Sequence, residues 1–364
     1  MLTEIEALVI LTSIPYLGSV RIRALIQHFG TAQAVLEADP KVLAAFPDIG
    51  AKIVQGWSKW KTDSSWQQNL ELVNRYNATI IPYTSPLYPK RLLEIPDYPV
   101  LLYVKGSITS IDQRGIAVVG TRFASIYGRE MAETISSELA KAGFPVVSGL
   151  ARGIDTAAHA GALRHGRTIA VIGSGLANIY PQENVRLSEA IAEKGALISE
   201  FPMMTPPDRQ NFPQRNRIVA GMTMGTLLIE APVRSGAMIT MDRAAAYKRP
   251  LFALPGRVDS EDFRGNHLLI KKGQAKLVEN AGDVIENFES LFNLADYHVA
   301  PKVHTPLLHQ EEYDFLKQLP NHELSIDEMM QITKLPVMKI NVLLMGLVLK
   351  KTMKEYAGKI YRKV

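Results

Sequence analysis

Six short apolar runs, at residues 116–119, 145–147, 168–172, 196–198, 226–229 and 250–254, constrain the fold of this chain more than any other feature. Each is rich in residues that favour strands and is nearly free of polar ones. None shows the in-and-out alternation of a strand with one wet face. Most are separated by segments of helix length, such as 125–140 and 184–194. Continuous apolar strands alternating with helices build a parallel sheet covered on both faces. The pattern predicts an α/β fold, a Rossmann-like doubly wound parallel sheet over residues 69–293.

The flanks follow different grammars. Residues 1–68 read as short helices and turns. Ile14-Pro15-Tyr16-Leu17-Gly18 opens one helix, and Phe46-Pro47-Asp48-Ile49-Gly50 opens another in the same way. The pair resembles tandem helix-hairpin-helix motifs, whose glycine amides hold a DNA phosphate at a helix N-terminus. The second glycine of that motif is replaced here by Val20 and Lys52. A packing or interaction module is therefore the first reading and phosphate binding the second. After a proline-punctuated linker, 294–306, residues 307–364 carry a capping box at Ser325 and Glu328, a second amphipathic helix over 337–349, and a tail alternating around Gly358. That order predicts a winged helix. Its second helix offers only Lys339 and Asn341 as polar side chains, too few for a helix that reads base edges.

Composition narrows the function classes. The 364 residues include no cysteine, which excludes disulfides, thiol catalysis and Cys-ligated zinc. Glu4 and Glu6 stand where a signal peptide would carry Lys or Arg, and the longest apolar run, 340–349, is far short of the ~20 residues that span a bilayer. A cytoplasmic protein is expected. The net charge of +5 permits an anionic partner without demanding one.

Ligands of an open parallel sheet bind beyond the carboxyl ends of its strands. Three such loops are Gly120-Thr121-Arg122, Ser148-Gly149-Leu150-Ala151-Arg152-Gly153 and Gly173-Ser174-Gly175. Glycines let backbone amides and helix N-termini approach an anion, and arginines add multi-donor phosphate contacts. The first loop lacks the Gly-x-Gly-x-x-Gly of dinucleotide enzymes, no acid ends the second strand, and no P-loop is present. A phosphodiester backbone is a good candidate for the anion. Phe212, Arg215, Asn216 and Arg217 add arginines and an aromatic that an unpaired base can stack on. Asp155 and His159, four apart at a helix start, read as structural support for the second loop, with Asp155 also capping the helix. No cofactor and no metal is expected.

These stretches, with Tyr180-Pro181, Ile198-Ser199-Glu200, Gly236-Ala237-Met238-Ile239-Thr240 and Leu254-Pro255-Gly256, resemble the DNA-processing protein A (DprA, or Smf) family. The resemblance spans about residues 70–280 and extends to both flanks. It implies a non-enzymatic protein that binds and protects single-stranded DNA, loads the RecA recombinase in natural transformation, and pairs into a homodimer through its Rossmann-like domain. It makes Arg122 and Arg152 the leading phosphate contacts, with Arg215, Asn216 and Arg217 beside them and Lys105, Arg167 and Lys248 as weaker candidates. The rival is a nucleotide phosphoribohydrolase of the LOG type. Its Pro-Gly-Gly-x-Gly-Thr signature is matched only loosely by residues 221–226, with Glu230 displaced.

Overall fold

The computed structural model describes residues 2–288, 308–350, 352–356 and 358–363. The chain divides into two compact units, Met1–His298 and Val299–Val364. The expected linker, 294–306, lies outside the described residues.

The first unit opens with six helices: α1 (Glu4–Ser13), α2 (Ser19–Phe29), α3 (Ala32–Glu37), α4 (Pro40–Ala44), α5 (Ala51–Trp57) and α6 (Ser65–Arg75). The two similar sequence turns fold alike. Gly18 and Gly50 are the N-caps of α2 and α5, with φ, ψ of −81°, 166° and −83°, 166°. In each turn the residue before the glycine donates its amide to a carbonyl three residues back, Leu17 to Ile14 and Ile49 to Phe46, both at 3.2 Å. The buried faces of these helices share a core with Leu101, Tyr103, Ile172 and Leu197 of the sheet region. The helix α6 runs across residue 68, and Asn69 on it bonds the Tyr103 hydroxyl at 2.8 Å and the Met203 amide at 2.7 Å.

The sheet has nine strands: β1 (Ala78–Pro82), β2 (Leu101–Gly106), β3 (Ile116–Val119), β4 (Val146–Ser148), β5 (Thr168–Val171), β6 (Ala196–Ser199), β7 (Gly225–Leu228), β8 (Leu251–Ala253) and β9 (Lys276–Leu277). The six predicted runs become β3 to β8, each wholly buried. Their helices are α7 (Ile126–Lys141), α8 (Ile154–His165), α9 (Val185–Lys194), α10 (Asn211–Gly221), α11 (Gly236–Ala246), α12 (Arg264–Lys271) and α13 (Ala281–Glu286). The order is β1-β2-β6-β5-β4-β3-β7-β8-β9. From β6 to β9 every pairing is parallel, while β1 and β2 extend the β6 edge antiparallel. The sheet is thus mixed, not wholly parallel as expected. The stretch between β1 and β2 holds no α-helix, so strand–helix alternation gives no hint of that hairpin. Chain order reverses between β3 and β7, and the crevice outside their carboxyl ends is where this architecture places a ligand.

The second unit contains α14 (Gln310–Gln318), β10 (Leu324–Ser325), α15 (Ile326–Thr333), α16 (Val337–Leu349), β11 (Met353–Tyr356) and β12 (Ile360–Lys363), with sheet order β10-β12-β11. This is the element order expected of a winged helix. The predicted capping box is formed: Ser325 Oγ accepts from the Glu328 amide at 3.3 Å, and Glu328 Oε2 accepts from the Ser325 amide at 2.8 Å. Ile340, Leu343, Leu344 and Leu347 of α16 fill the core of this unit, while Met338, Val342, Met345 and Leu349 are exposed. Among the described residues no single helix is long and apolar enough to cross a membrane.

Candidate nucleic-acid interface

At the β3/β7 reversal lies an open cleft of about 540 Å³. Gly120, Thr121, Arg122 and Phe123 line it after β3, and Pro232, Arg234, Ser235 and Gly236 after β7. The start of α10 contributes Phe212, Arg215 and Asn216, and Arg209 precedes it. Four arginines and a single carboxylate, Asp155, stand among the described lining residues. Arg122, Arg209 and Arg234 are exposed, whereas Arg215 is buried. The Arg122 guanidinium lies 5.2 Å from the centre of the Phe212 ring, a cation–π contact that holds both at the cleft wall. Phe123 is 89% exposed, an unusual state for a large aromatic on a loop tip.

The backbone amides play a different part from the one expected. The Thr121 amide donates to the Glu230 carbonyl at 2.7 Å, and the Ile154 amide to the Thr121 carbonyl at 3.2 Å. The Phe123 amide bonds Thr121 Oγ1 at 3.2 Å. Asp155 Oδ2 accepts from the amides of Gly149 at 3.1 Å and Ala151 at 3.3 Å. These donors tie the loops to one another. The positive character of the cleft therefore comes from its arginine side chains.

Asp155 supports the Gly149–Gly153 loop as expected, but the cap of α8 is Gly153, whose φ of 74° a side chain rarely adopts. A Cβ there would also lie 2.4 Å from the Thr121 carbonyl oxygen. Arg215 reaches beneath this loop, donating from Nη1 to the Gly149 carbonyl at 2.5 Å and to the Val171 carbonyl. Its guanidinium would meet any side chain at Gly149 at 2.2 Å. Burial lowers the Arg215 pKa to about 10, offset in part by Asp155, so it stays cationic at neutral pH. Burial raises the Asp155 pKa, against the pull of Arg215 and the loop amides. His159 does not reach the loop: its Nδ1 bonds Thr168 Oγ1 of β5 at 2.7 Å. Full burial, and then the charge of Arg215, depress its pKa to about 3.

Several expected contacts face elsewhere. Ser148 is buried and donates to the Val118 carbonyl at 2.7 Å. Ser174 is buried and donates to the Asn178 carbonyl at 2.6 Å. Gly173 faces the Phe212 ring and Gly175 the Met203 carbonyl, with room for no Cβ at either, at 2.7 and 2.1 Å. The loop after β5 is thus a packing surface and does not line the cleft. Arg152 is half-exposed but forms a two-point ion pair with Glu183, at 2.6 and 2.8 Å. Arg217 is buried against Glu200 at 2.5 Å, and Glu200 also accepts from Ser19 Oγ at 3.0 Å. Arg217 therefore joins α10 to the N-terminal helices. Lys105 pairs with Leu197 near the start of β6, and Arg167 and Lys248 precede β5 and β8. All three lie at the amino edge of the sheet, opposite the cleft.

Three cleft residues escaped the sequence reading: Phe123, Arg209 and Arg234. The rule that informative residues follow each strand finds Arg234 when applied to the run at 226–229. The stretch 221–226 runs from the last residue of α10 into the start of β7, at the amino edge of the sheet, and does not line the cleft. Glu230 is fully buried and binds the start of α7, accepting from the Ser125 amide at 2.9 Å and its hydroxyl at 2.6 Å.

Residues 79–289, more than half of the chain, match the family model described as DNA recombination-mediator protein A, and residues 8–59 match that of a SAM-like helix-hairpin-helix tandem. The chain is 39% identical over 261 residues to protein Smf of Synechocystis sp., covering 70% of this chain and 66% of the relative. The match thus spans just under two thirds of that relative's length. The X-ray structure of DprA from Streptococcus pneumoniae superposes with a TM-score of 0.68 at 33% identity, covering 79% of this chain and 99% of that one. DprA of Helicobacter pylori, whose structure is described for its single-stranded DNA binding mode, superposes with a TM-score of 0.53 at 32% identity over 61% of this chain and 97% of that one. The chain belongs to the DNA recombination-mediator protein A family.

Proposed function

We propose that this protein binds single-stranded DNA in the β3/β7 cleft, shields it, and passes it to the RecA recombinase during natural transformation. One observation carries the reading: exposed Arg122, Arg209 and Arg234 surround Phe123 and Phe212 at the topological switch point. Arginines track a phosphate backbone, and aromatic faces accept unpaired bases of any sequence. The H. pylori relative supports the choice of a single strand over a duplex. Binding is favoured over hydrolysis because the one carboxylate among the described lining residues, Asp155, is committed to loop amides. Loading of RecA and a homodimer formed through the sheet-containing unit follow from the family resemblance, a cytoplasmic location from the composition, and all three belong to the same proposal.

The test is fluorescence anisotropy with single- and double-stranded oligonucleotides across a salt series. The protein prefers the single strand, is indifferent to sequence, and loses log affinity linearly with log salt at about −0.7 per phosphate neutralised. Equal affinity for both forms, or a flat salt response, would sink the proposal.

A further inference from the structure

A second cavity, of about 850 Å³, lies between the N-terminal helices and the sheet region. Tyr16, Arg21, Trp66, Phe201, Met204 and Gln214 are among its lining residues. One element, α10, borders both this groove and the arginine cleft. The first turns of α10 present Phe212, Arg215 and Asn216 to the cleft and Asn211 and Gln214 to the groove.

Tyr16 marks what the groove takes. The two helix-opening turns of the N-terminal region share one backbone course, and each holds the residue two before its glycine in the left-handed region, Tyr16 at φ 67° and Asp48 at φ 61°. Asp tolerates that conformation because its short side chain bonds locally, whereas a bulky aromatic is strained there. The turn at 46–50 shows that the geometry does not require the ring. The ring is also 69% exposed, so it contributes little to the core. Strain and exposure together point to a use outside folding. Two cations accompany it: Lys52 Nζ lies 5.6 Å from the ring centre, and Arg21 donates to the Tyr16 carbonyl at 3.1 Å. Asp48 and Asp97 line a separate depression that shares Gly18, Arg21 and Gln214 with the groove, and no carboxylate is among the groove's own described lining residues. An exposed aromatic flanked by cations, beside a half-buried Trp66, suits an unpaired base and its phosphate.

We infer that this groove is a second segment of the single-stranded DNA track, in which a base leaving the arginine cleft stacks on Tyr16 while Arg21 and Lys52 face its phosphates. The inference rests on the proposed binding of single-stranded DNA in the cleft. It is tested on the full chain with oligothymidylates of about 6 and about 20 nucleotides, the shorter filling the cleft alone. Tyr16→Asn keeps a residue suited to the left-handed turn and removes the ring. It weakens binding of the longer oligonucleotide about tenfold, as expected for one lost stacking partner, and leaves the shorter unchanged. Tyr16→Phe retains wild-type affinity for both. An unchanged affinity for the longer oligonucleotide in Tyr16→Asn overturns the inference. An equal loss at both lengths also overturns it, placing Tyr16 in the cleft. Arg234→Ala separates the two readings: it weakens both lengths if the cleft binds DNA, and neither if the cleft reading fails.

Discussion

The loops after β3 and β7 and the loops after β4 and β5 emerge from one edge of one sheet, yet they do different work. After β3 and β7, Arg122, Phe123 and Arg234 project into open space. After β4 and β5, Ser148, Ser174, Gly173 and Gly175 turn inward, Gly149 and Ala151 give the cleft wall no charge, and Arg152 is engaged by Glu183. Sheet topology explains the division. Between β3 and β7 the connections leave in opposite directions and open a crevice, whereas after β4 and β5 adjacent loops pack on each other. Glycine content does not distinguish the two sets, because a glycine serves close packing as well as ligand approach.

The strongest way to break this comparison is through Arg215, which lines the cleft but is spent on the interior. Arg215→Met strands the buried Asp155 and the Gly149 and Val171 carbonyls, and is expected to lower stability by about 3–5 kcal/mol in chemical denaturation. A variant that stays stable and only loses DNA affinity would move Arg215 to the ligand-facing set.

His159 gives the next largest effect, through pH. Its folded pKa, about 3, lies below the ordinary value of 6.5 because burial disfavours the charged ring. The unfolded chain therefore binds the extra proton between these values. Its contribution is fully present above pH 6.5 and is lost as pH falls toward 3, with a slope of at most about 1.4 kcal/mol per pH unit. Denaturation midpoints measured across that range should fall less steeply in His159→Gln, whose amide can still meet Thr168. An identical slope in the variant would remove His159 from the account.

Smaller effects separate the exposed arginines. Arg122→Ala and Arg234→Ala each weaken single-strand binding roughly tenfold for all sequences, with an unchanged melting temperature. Arg152→Ala changes affinity less than about twofold, because its charge is already matched in an exposed ion pair. Anisotropy titrations of the three variants side by side check the order. An Arg152 effect as large as that of Arg122 would show that DNA displaces Glu183 and would add Arg152 to the interface.

Most of the architecture was legible without coordinates. The strands β3 to β8 announce themselves because a strand buried on both faces must be apolar throughout. The capping box at Ser325 and Glu328 and the repeated turns at 14–18 and 46–50 were equally plain, since both are local hydrogen-bond devices. The hairpin β1–β2 was not, because its connection breaks the strand–helix rhythm. Of the expected site, Gly120, Thr121, Arg122, Gly149, Phe212 and Asn216 line the cleft, and Arg215 reaches it from beneath. Arg217 illustrates the limit. It lies two residues from Arg215 on the same helix, and nothing in the local sequence says that it meets Glu200 and, through it, Ser19 near the start of the chain.

The sequence by itself determined the layered α/β architecture, the helix-opening turns and the presence of arginines after the strands, since each depends on neighbours along the chain. Tertiary structure alone decided which arginines are available. An arginine is committed or exposed according to whether a carboxylate or a carbonyl stands within reach, and here those partners are 17, 31 or 66 residues away. Only the folded sheet brings them together.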